Sequence, residues 1–391
     1  MRSLRIFNFT ESVYGSFSGV TGGRPSSFQK VTQIYYLACH EVLNVSDLPF
    51  IGITMGDPAG IGPEIIVEAL NDPGIYMVCR PVVLGDHDIL ASTISNASGE
   101  ASLNVISEPS EAKGIQGKID LIAVSRLRGG SILPGKPSIE GGKAMVEYIF
   151  TAVKMTRERR LGAMVTCPIS KIEMHRAGYP YEGHTELISH LTGTQDCVMM
   201  LAGERMRVAL VTIHCPLKEV PAILNEDRVY KTITITARAL REDFGFENPR
   251  LAVAALNPHA GESGLFGLEE ERIIGPAVAR ARKKDFQLEG PLPADTLFYR
   301  AASGEFDAVV AMYHDQGLIP IKLLHFSDAV NVTLGLPIVR TSVDHGTAYD
   351  IAGTGRADAT SLKAAIKMAA QIFKNRNIKG NPTSSPCQQT T

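Results

Sequence analysis

The chain lacks any apolar run near the roughly 18 residues needed to cross a bilayer, its longest candidates being short and broken by glycine or charge, so no membrane span is expected. It also lacks an excess of charge. A net charge of -2 over 391 residues cannot hold a polyanion by counterion release, which makes nucleic acid a poor partner. Closely spaced cysteines are missing as well. Cys39, Cys79, Cys167, Cys197, Cys215 and Cys387 are scattered with no CxxC pair, a distribution that argues against a zinc knuckle or disulfide framework and suits a reducing, cytoplasmic setting. No internal repeat is visible, which sets aside solenoids and propellers.

What is present is a globular composition, 44% hydrophobic and 20% charged, on a chain too long for one ordinary core. Two lobes with a cleft between them are expected. Residues 1–48 mix serine, glycine and aromatics and read as an extension, better explained by an overlong start than by a transit peptide; they lack the pattern of a secretory signal. Residues 375–391, rich in Asn, Ser, Thr and Gln, read as a disordered tail. From Phe50 onward, short β-branched runs alternate with amphipathic stretches, the signature of a mainly parallel sheet with helices on its faces. Strands are expected at 51–55, 81–84, 163–166, 208–213, 251–255, 308–312 and 330–333. Helices are expected at 62–70, 140–158, 227–244, 269–284 and 361–373.

The polar clusters fall just after those strands, where ligands bind in open α/β sheets. The first, 56–64 (GDPAGIGPE), has neither Rossmann nor P-loop spacing; it is either a ligand-approaching turn or a plain strand-to-helix turn with Pro63 at the first helical position. Three histidines, His214, His259 and His314, follow three different strands. Neutral imidazoles in that number, with an open fourth position, suit a catalytic divalent metal, although each alone reads as an ordinary loop histidine. His184 and Thr185 open a helix, where backbone donors favour an anion; Thr185 is equally a simple cap. Lys322, Asn331 and Arg340 lie in the strand-rich, otherwise apolar stretch 321–342 and would need an anion if buried, or Lys322 and Arg340 would snorkel or pair with acids such as Asp328. Asp295 sits at an expected N-cap, reason enough for an aspartate there, and near a metal it could also accept a proton.

Together these segments resemble the 4-hydroxythreonine-4-phosphate dehydrogenase family from about residue 51 to 370, with 56–64, 183–186, 257–262, 293–296, 314–317 and 330–346 in the family's order and spacing. The resemblance implies a two-lobed α/β/α fold like isocitrate and isopropylmalate dehydrogenases, with no Rossmann domain. The lobes it implies are 49–160 with 328–374, and 161–327 carrying the dimer and metal-site elements. Carried over by position, it implies metal ligands at His214, His259 and His314, shared across a homodimer interface. Substrate residues fall at His184, Thr185, Lys322, Asn331 and Arg340, and catalytic residues at Asp295 and Lys322. The stretch His345, Gly346, Thr347, Ala348 and Asp350 is similar to the loop that holds the adenosine half of NAD in isopropylmalate dehydrogenases.

The implied activity is oxidation of 4-phosphooxy-L-threonine with NAD or NADP and one divalent ion (Zn, Mg or Co), in pyridoxine 5'-phosphate biosynthesis. A paralogous branch acting on 4-phospho-D-threonate or D-erythronate fits the same frame. A non-catalytic phosphometabolite-binding protein would be expected to have lost a ligand, and a phosphate acetyltransferase-like enzyme would not need three histidines.

Overall fold

A computed structural model describes residues 48–97, 101–127 and 132–378. Its twelve strands are β1 (Phe50–Thr54), β2 (Arg80–Asp86), β3 (Ser102–Val105), β4 (Lys118–Ser125), β5 (Ala163–Thr166), β6 (Val198–Ala202), β7 (Arg207–Leu210), β8 (Arg250–Ala254), β9 (Gln287–Leu292), β10 (Ala308–Ala311), β11 (Val330–Leu334) and β12 (Arg340–Ser342). They form one sheet in the order β3-β4-β2-β1-β5-β12-β11-β6-β7-β10-β8-β9. That is not the 3-2-1-4-5-6 order of a Rossmann domain.

Two parallel segments, β3 to β12 and β7 to β9, are joined through β11 and β6, each antiparallel to both of its neighbours. The segments therefore run in opposite directions. Five strand steps separate β5 from β10. With a twist of about 20–25° per step, the carboxyl ends of the two segments swing toward each other across the sheet's middle.

Every residue of β5 and β10 is buried, as parallel strands covered on both faces require. Continuous apolar runs of that kind are what sequence reveals. The strands absent from the sequence expectation are of two kinds. β3 is a partly exposed edge, β9 contains Gly290 and Pro291 and β12 has three residues, whereas β4 (KIDLIAVS) and β6 (VMMLA) contain apolar runs that the sequence reading passed over. Packing against the sheet comes from long helices such as Ile139–Arg157, Glu226–Glu242 and Thr360–Ile378. The first two start at Ser138 and Asn225, whose side chains accept from Gly141 N and Arg228 N.

Three expectations need correction. The helix expected at 269–284 opens with a wide π-turn, Glu270–Ile274, before its α-helical part Gly275–Ala281. Pro276 has no N–H to donate to the preceding turn, which favours the wider one. The stretch around Lys322 is helical, His314–Leu324, despite Pro320 inside it. The last helix runs to Ile378, past the expected tail boundary, because its end is anchored: Arg376 Nε and Nη2 donate to the buried Asp243 carboxylate at 2.6 and 3.1 Å, and Asn375 Nδ2 donates to Asp243 O at 2.7 Å. Residues 1–47 and 379–391, and the expectations placed on them, lie outside the described residues. Among the described residues, no helix is long and apolar enough to cross a membrane.

Candidate active site

Where the two parallel segments meet, a cavity of about 630 Å³ opens at their carboxyl ends. Its walls include Lys171 after β5, His184 to Glu186, His214 after β7, His314 to Lys322 after β10, Asn331 on β11, Arg340 on β12, and Asp344 to Gly346. All five residues marked as substrate contacts by the family resemblance line this one space.

Arg340 is the most committed of them. It is 3% exposed, and its Nη1 and Nη2 donate to Thr333 Oγ1 at 2.9 Å and Thr166 Oγ1 at 2.7 Å, while Nε has no partner among the described residues. Burial pushes its pKa down to about 10 and the Glu186 carboxylate opposes that, so the guanidinium stays charged at neutral pH. It neither snorkels nor pairs with Asp328, whose carboxylate faces His325. Asn331 Oδ1 and His184 Nε2, which line the same cavity, are also buried without partners among the described residues. A cluster of orphaned polar atoms around a buried cation is costly unless a polar ligand completes it.

The helix His184–Thr192 begins after Gly183, and no side chain caps it. Thr185 is therefore not its cap, and it lines the cavity with the helix's first turn. Burial, then the charges of Arg340 and Lys171, hold the His184 pKa well below its usual 6.5. The folded protein keeps this ring neutral while the unfolded chain takes up a proton below about pH 6.5. Its contribution to stability is thus full above that pH and falls as the pH drops through it. Substituting His184→Gln is expected to flatten the decline in urea-unfolding free energy between pH 7 and 5; an unchanged slope would mean the ring is solvated.

His214 and His314 are brought together, with ring centroids 5.8 Å apart. Backbone bonding continues past β7, with Val211 N and Thr212 N donating to Ala311 O and Met312 O, and this sets the two loops side by side. The sequence from His314 to Gly317 is legible residue by residue. Asp315 Oδ1 lies 2.7 Å from His314 Nδ1, and Gln316 latches β10 to β8 by accepting from Met312 N and donating to Ala255 O. At Gly317 a Cβ would stand 2.6 Å from Val208 Cγ1. Burial, then Lys171 and His314, lower the His214 pKa, so its ring is in the neutral form that binds metals.

His259 does not line this cavity. Among the described residues, no group of three potential ligands comes together in one chain. His259 is exposed, and from His259 to Ser263 every residue has a positive φ, four of them non-glycine. Such left-handed backbone costs roughly 1–2 kcal/mol per residue for L side chains, and strain of this kind clusters at functional segments. Asp295 is exposed too and lies outside the cavity; its helix, Ala294–Ala302, starts after Pro293, so Asp295 stands in the first turn rather than at the N-cap. That helix packs on the His259 turn.

In the loop after β12, His345 and Gly346 line the cavity, whereas Thr347, Ala348 and Asp350 lie beyond its lining. His345 Nε2 is buried without a partner among the described residues, and a Cβ on Gly346 would meet none of them within 4 Å. Holding this loop turns out to be the task of 56–64. Asp57, fully buried, accepts from Tyr349 Oη at 2.6 Å and from Ala59 N at 2.9 Å; Ile61 N donates to Thr347 O, and Glu64 accepts from Gly353 N and Gly355 N. Burial raises the Asp57 pKa and pushes that of Tyr349 up to about 12. Gly56 has φ +71° and a Cβ there would lie 2.3 Å from Pro168 O. The motif lies outside the lining of this cavity, while Pro58, Gly60, Pro63 and Glu64 line another of about 720 Å³ beside Gly353 to Gly355; Pro63 is second in its helix.

Sequence reasoning passed over Lys171, Glu186 and Asp344. Asp344 Oδ2 lies 2.9 Å from Lys322 Nζ and joins the two walls of the cavity. Its position between Arg340 and His345 was a usable signal, while Lys171 lies in a short helix with nothing local to mark it.

A crevice at a sheet's switch point, cations on one wall and paired imidazoles on the other, is the arrangement of an α/β enzyme that holds its ligand at the strand ends. Comparison with known proteins makes the class specific. The family model of pyridoxal phosphate biosynthetic protein PdxA matches residues 77–369. A 4-hydroxythreonine-4-phosphate dehydrogenase of Desulforapulum autotrophicum is 55% identical over 322 residues, 82% of this chain and 95% of its own length. A D-threonate 4-phosphate dehydrogenase of Cupriavidus necator is 46% identical over 332 residues, 84% of this chain and 98% of its own. The solved 4-hydroxythreonine-4-phosphate dehydrogenase of Klebsiella pneumoniae superposes with a TM-score of 0.78 at 42% identity, over 84% of this chain and 98% of that one. The chain belongs to the PdxA family and is by that membership a dehydrogenase.

Proposed function

We propose that the chain oxidises 4-phosphooxy-L-threonine with NAD or NADP to 2-amino-3-oxo-4-(phosphooxy)butanoate, which loses CO₂ to give 3-amino-2-oxopropyl phosphate, in cytoplasmic pyridoxine 5'-phosphate biosynthesis. The observation that carries this reading is the single cavity in which Arg340, His184, Thr185, Asn331 and Lys322 face the imidazoles of His214 and His314. Relatives of this name are the more similar ones, at 55% identity against 46% for the threonate enzyme named above.

His214 and His314 fit two positions of a three-imidazole metal site, being adjacent and, at His214, held neutral. The third ligand is His259 of a second copy. Exposed apolar side chains flank both parts: Leu323 and Phe326, 81% and 83% exposed, on and after the helix of His314, and Phe266, 47% exposed, with its ring centroid 6.1 Å from that of His259. Burying such patches against a second copy is the ordinary route to a homodimer. Asp295, next to the His259 turn, would enter the same site from that copy. A divalent cation held there supplies Lewis acidity toward the substrate's secondary hydroxyl. The nicotinamide cofactor supplies a hydride acceptor, and the orphaned His345 nitrogen with the open face of Gly346 fits its approach.

The chain's own residues then divide the remaining work. Arg340, Thr185, Asn331 and His184 bind the phosphate away from the reacting carbon, so binding energy serves orientation. Lys322, oriented by its ion pair with Asp344, can return a proton to the carbon left by CO₂. Steady-state rates with 4-phosphooxy-L-threonine and 4-phospho-D-threonate, side by side with NAD and a divalent metal, test the assignment. We expect at least tenfold higher kcat/KM for the first; the reverse order would assign the chain to the threonate branch.

A further inference from the structure

We infer that Glu270 is a positioning residue that holds the left-handed turn of His259 in its outward-facing shape. The inference rests on the reading above, in which His259 completes the metal site of a second copy. Glu270 is 7% exposed and has no cationic partner among the described ion pairs. Its carboxylate is given wholly to the root of the turn: Oε1 accepts from Leu256 N and Asn257 N, both at 2.8 Å, and Oε2 accepts from Asn257 Nδ2 at 3.0 Å. Glu269 Oε2 accepts from the same amide at 2.7 Å. One residue later, after Pro258, the backbone turns to positive φ and stays there for six residues, through Gly264.

L residues leave that region unless the surroundings hold them. Gly261, at the centre of the turn, packs so closely that a Cβ would stand 2.8 Å from Glu270 Oε2. The carboxylate therefore fixes the root of the turn by bonding and its middle by contact. Its location at the start of the π-turn Glu270–Ile274 agrees with this, since such wide turns place a side chain where a regular helix would not. The number of acceptors matters as well as shape. Glutamine has one acceptor oxygen, and its amide would face the Asn257 amide donor to donor.

The test is a Co²⁺ titration of the full-length, metal-free dimer, followed by visible absorption, for the wild type, Glu270→Gln, His259→Ala and the double variant. Glu270→Gln is expected to weaken Co²⁺ binding by about 10–100-fold, the range for residues behind a metal ligand. If Glu270 acts through His259, the double variant binds no more weakly than His259→Ala alone. Wild-type affinity in Glu270→Gln, or losses that simply add in the double variant, would overturn the inference and leave the shared site standing. Wild-type affinity in His259→Ala would overturn the shared site itself, and the inference with it. Should Glu270→Gln fail to fold, Glu270→Asp takes its place in the same cycle, because it keeps a carboxylate but withdraws it by one methylene from Leu256 N and Asn257 N.

Discussion

Replacing Arg340 by methionine is expected to lower kcat/KM for a phosphorylated substrate by about two to three orders of magnitude, while the melting temperature holds or rises. The reasoning starts from burial. A guanidinium 3% exposed, with two hydroxyl partners and a free Nε, has surrendered its hydration without a full set of replacements. Its pKa, lowered to about 10, records that cost. A dianionic phosphate would supply the missing acceptors, and truncating a buried charged hydrogen-bonding partner typically costs about 2–5 kcal/mol of binding, where each 1.4 kcal/mol is about tenfold. Methionine fills much of the same volume without a charge to desolvate, so the unliganded protein loses little. A residue kept for stability would behave the opposite way, with a lower melting temperature and unchanged KM. Arg340→Lys should fall between, since one ammonium cannot span Thr166, Thr333 and a ligand together. Kinetics and a thermal melt on the same preparations decide the matter.

The parts of the fold visible in the sequence were those dictated by local physics. The core strands, buried on both faces, had to be apolar runs, and Ala163–Thr166 is placed as expected. Site residues were visible where a polar group interrupts such surroundings, as Arg340 and Asn331 do. Invisible were features decided by distant partners. In the 56–64 motif, Asp57 and Glu64 bond a loop some 290 residues away, a partner that no local pattern names. The last helix outruns its own composition because Asp243 receives Arg376. Asp344 gains meaning only when the sheet brings Lys322 to it. The three histidines show the limit most clearly. Two meet through the β7 and β10 loops, while the third is turned out to solvent by a strained turn whose geometry no local rule predicts.

That outward placement makes a sharp prediction about mixtures of inactive variants. His259→Ala removes an exposed ring and His314→Ala a half-buried one, so both variants should fold and dimerise, and each should lose metal-dependent turnover by at least a hundredfold. In a shared site, His214 and His314 of one copy act with His259 of the other. A heterodimer of the two variants then contains one site with all three imidazoles and one site with a single imidazole. Equal mixing with subunit exchange gives half heterodimers, each with one intact site of two, so activity should return to about one quarter of the wild-type value. Sites assembled within one chain would give no recovery, because every chain in the mixture lacks a ligand. Recovery should also follow the fraction of heterodimer isolated with two different affinity tags, reaching about half of wild type for the pure species. Failure of that proportionality, with both variants folded and dimeric, would place the metal elsewhere and leave the left-handed turn of His259 without the role its exposure suggests.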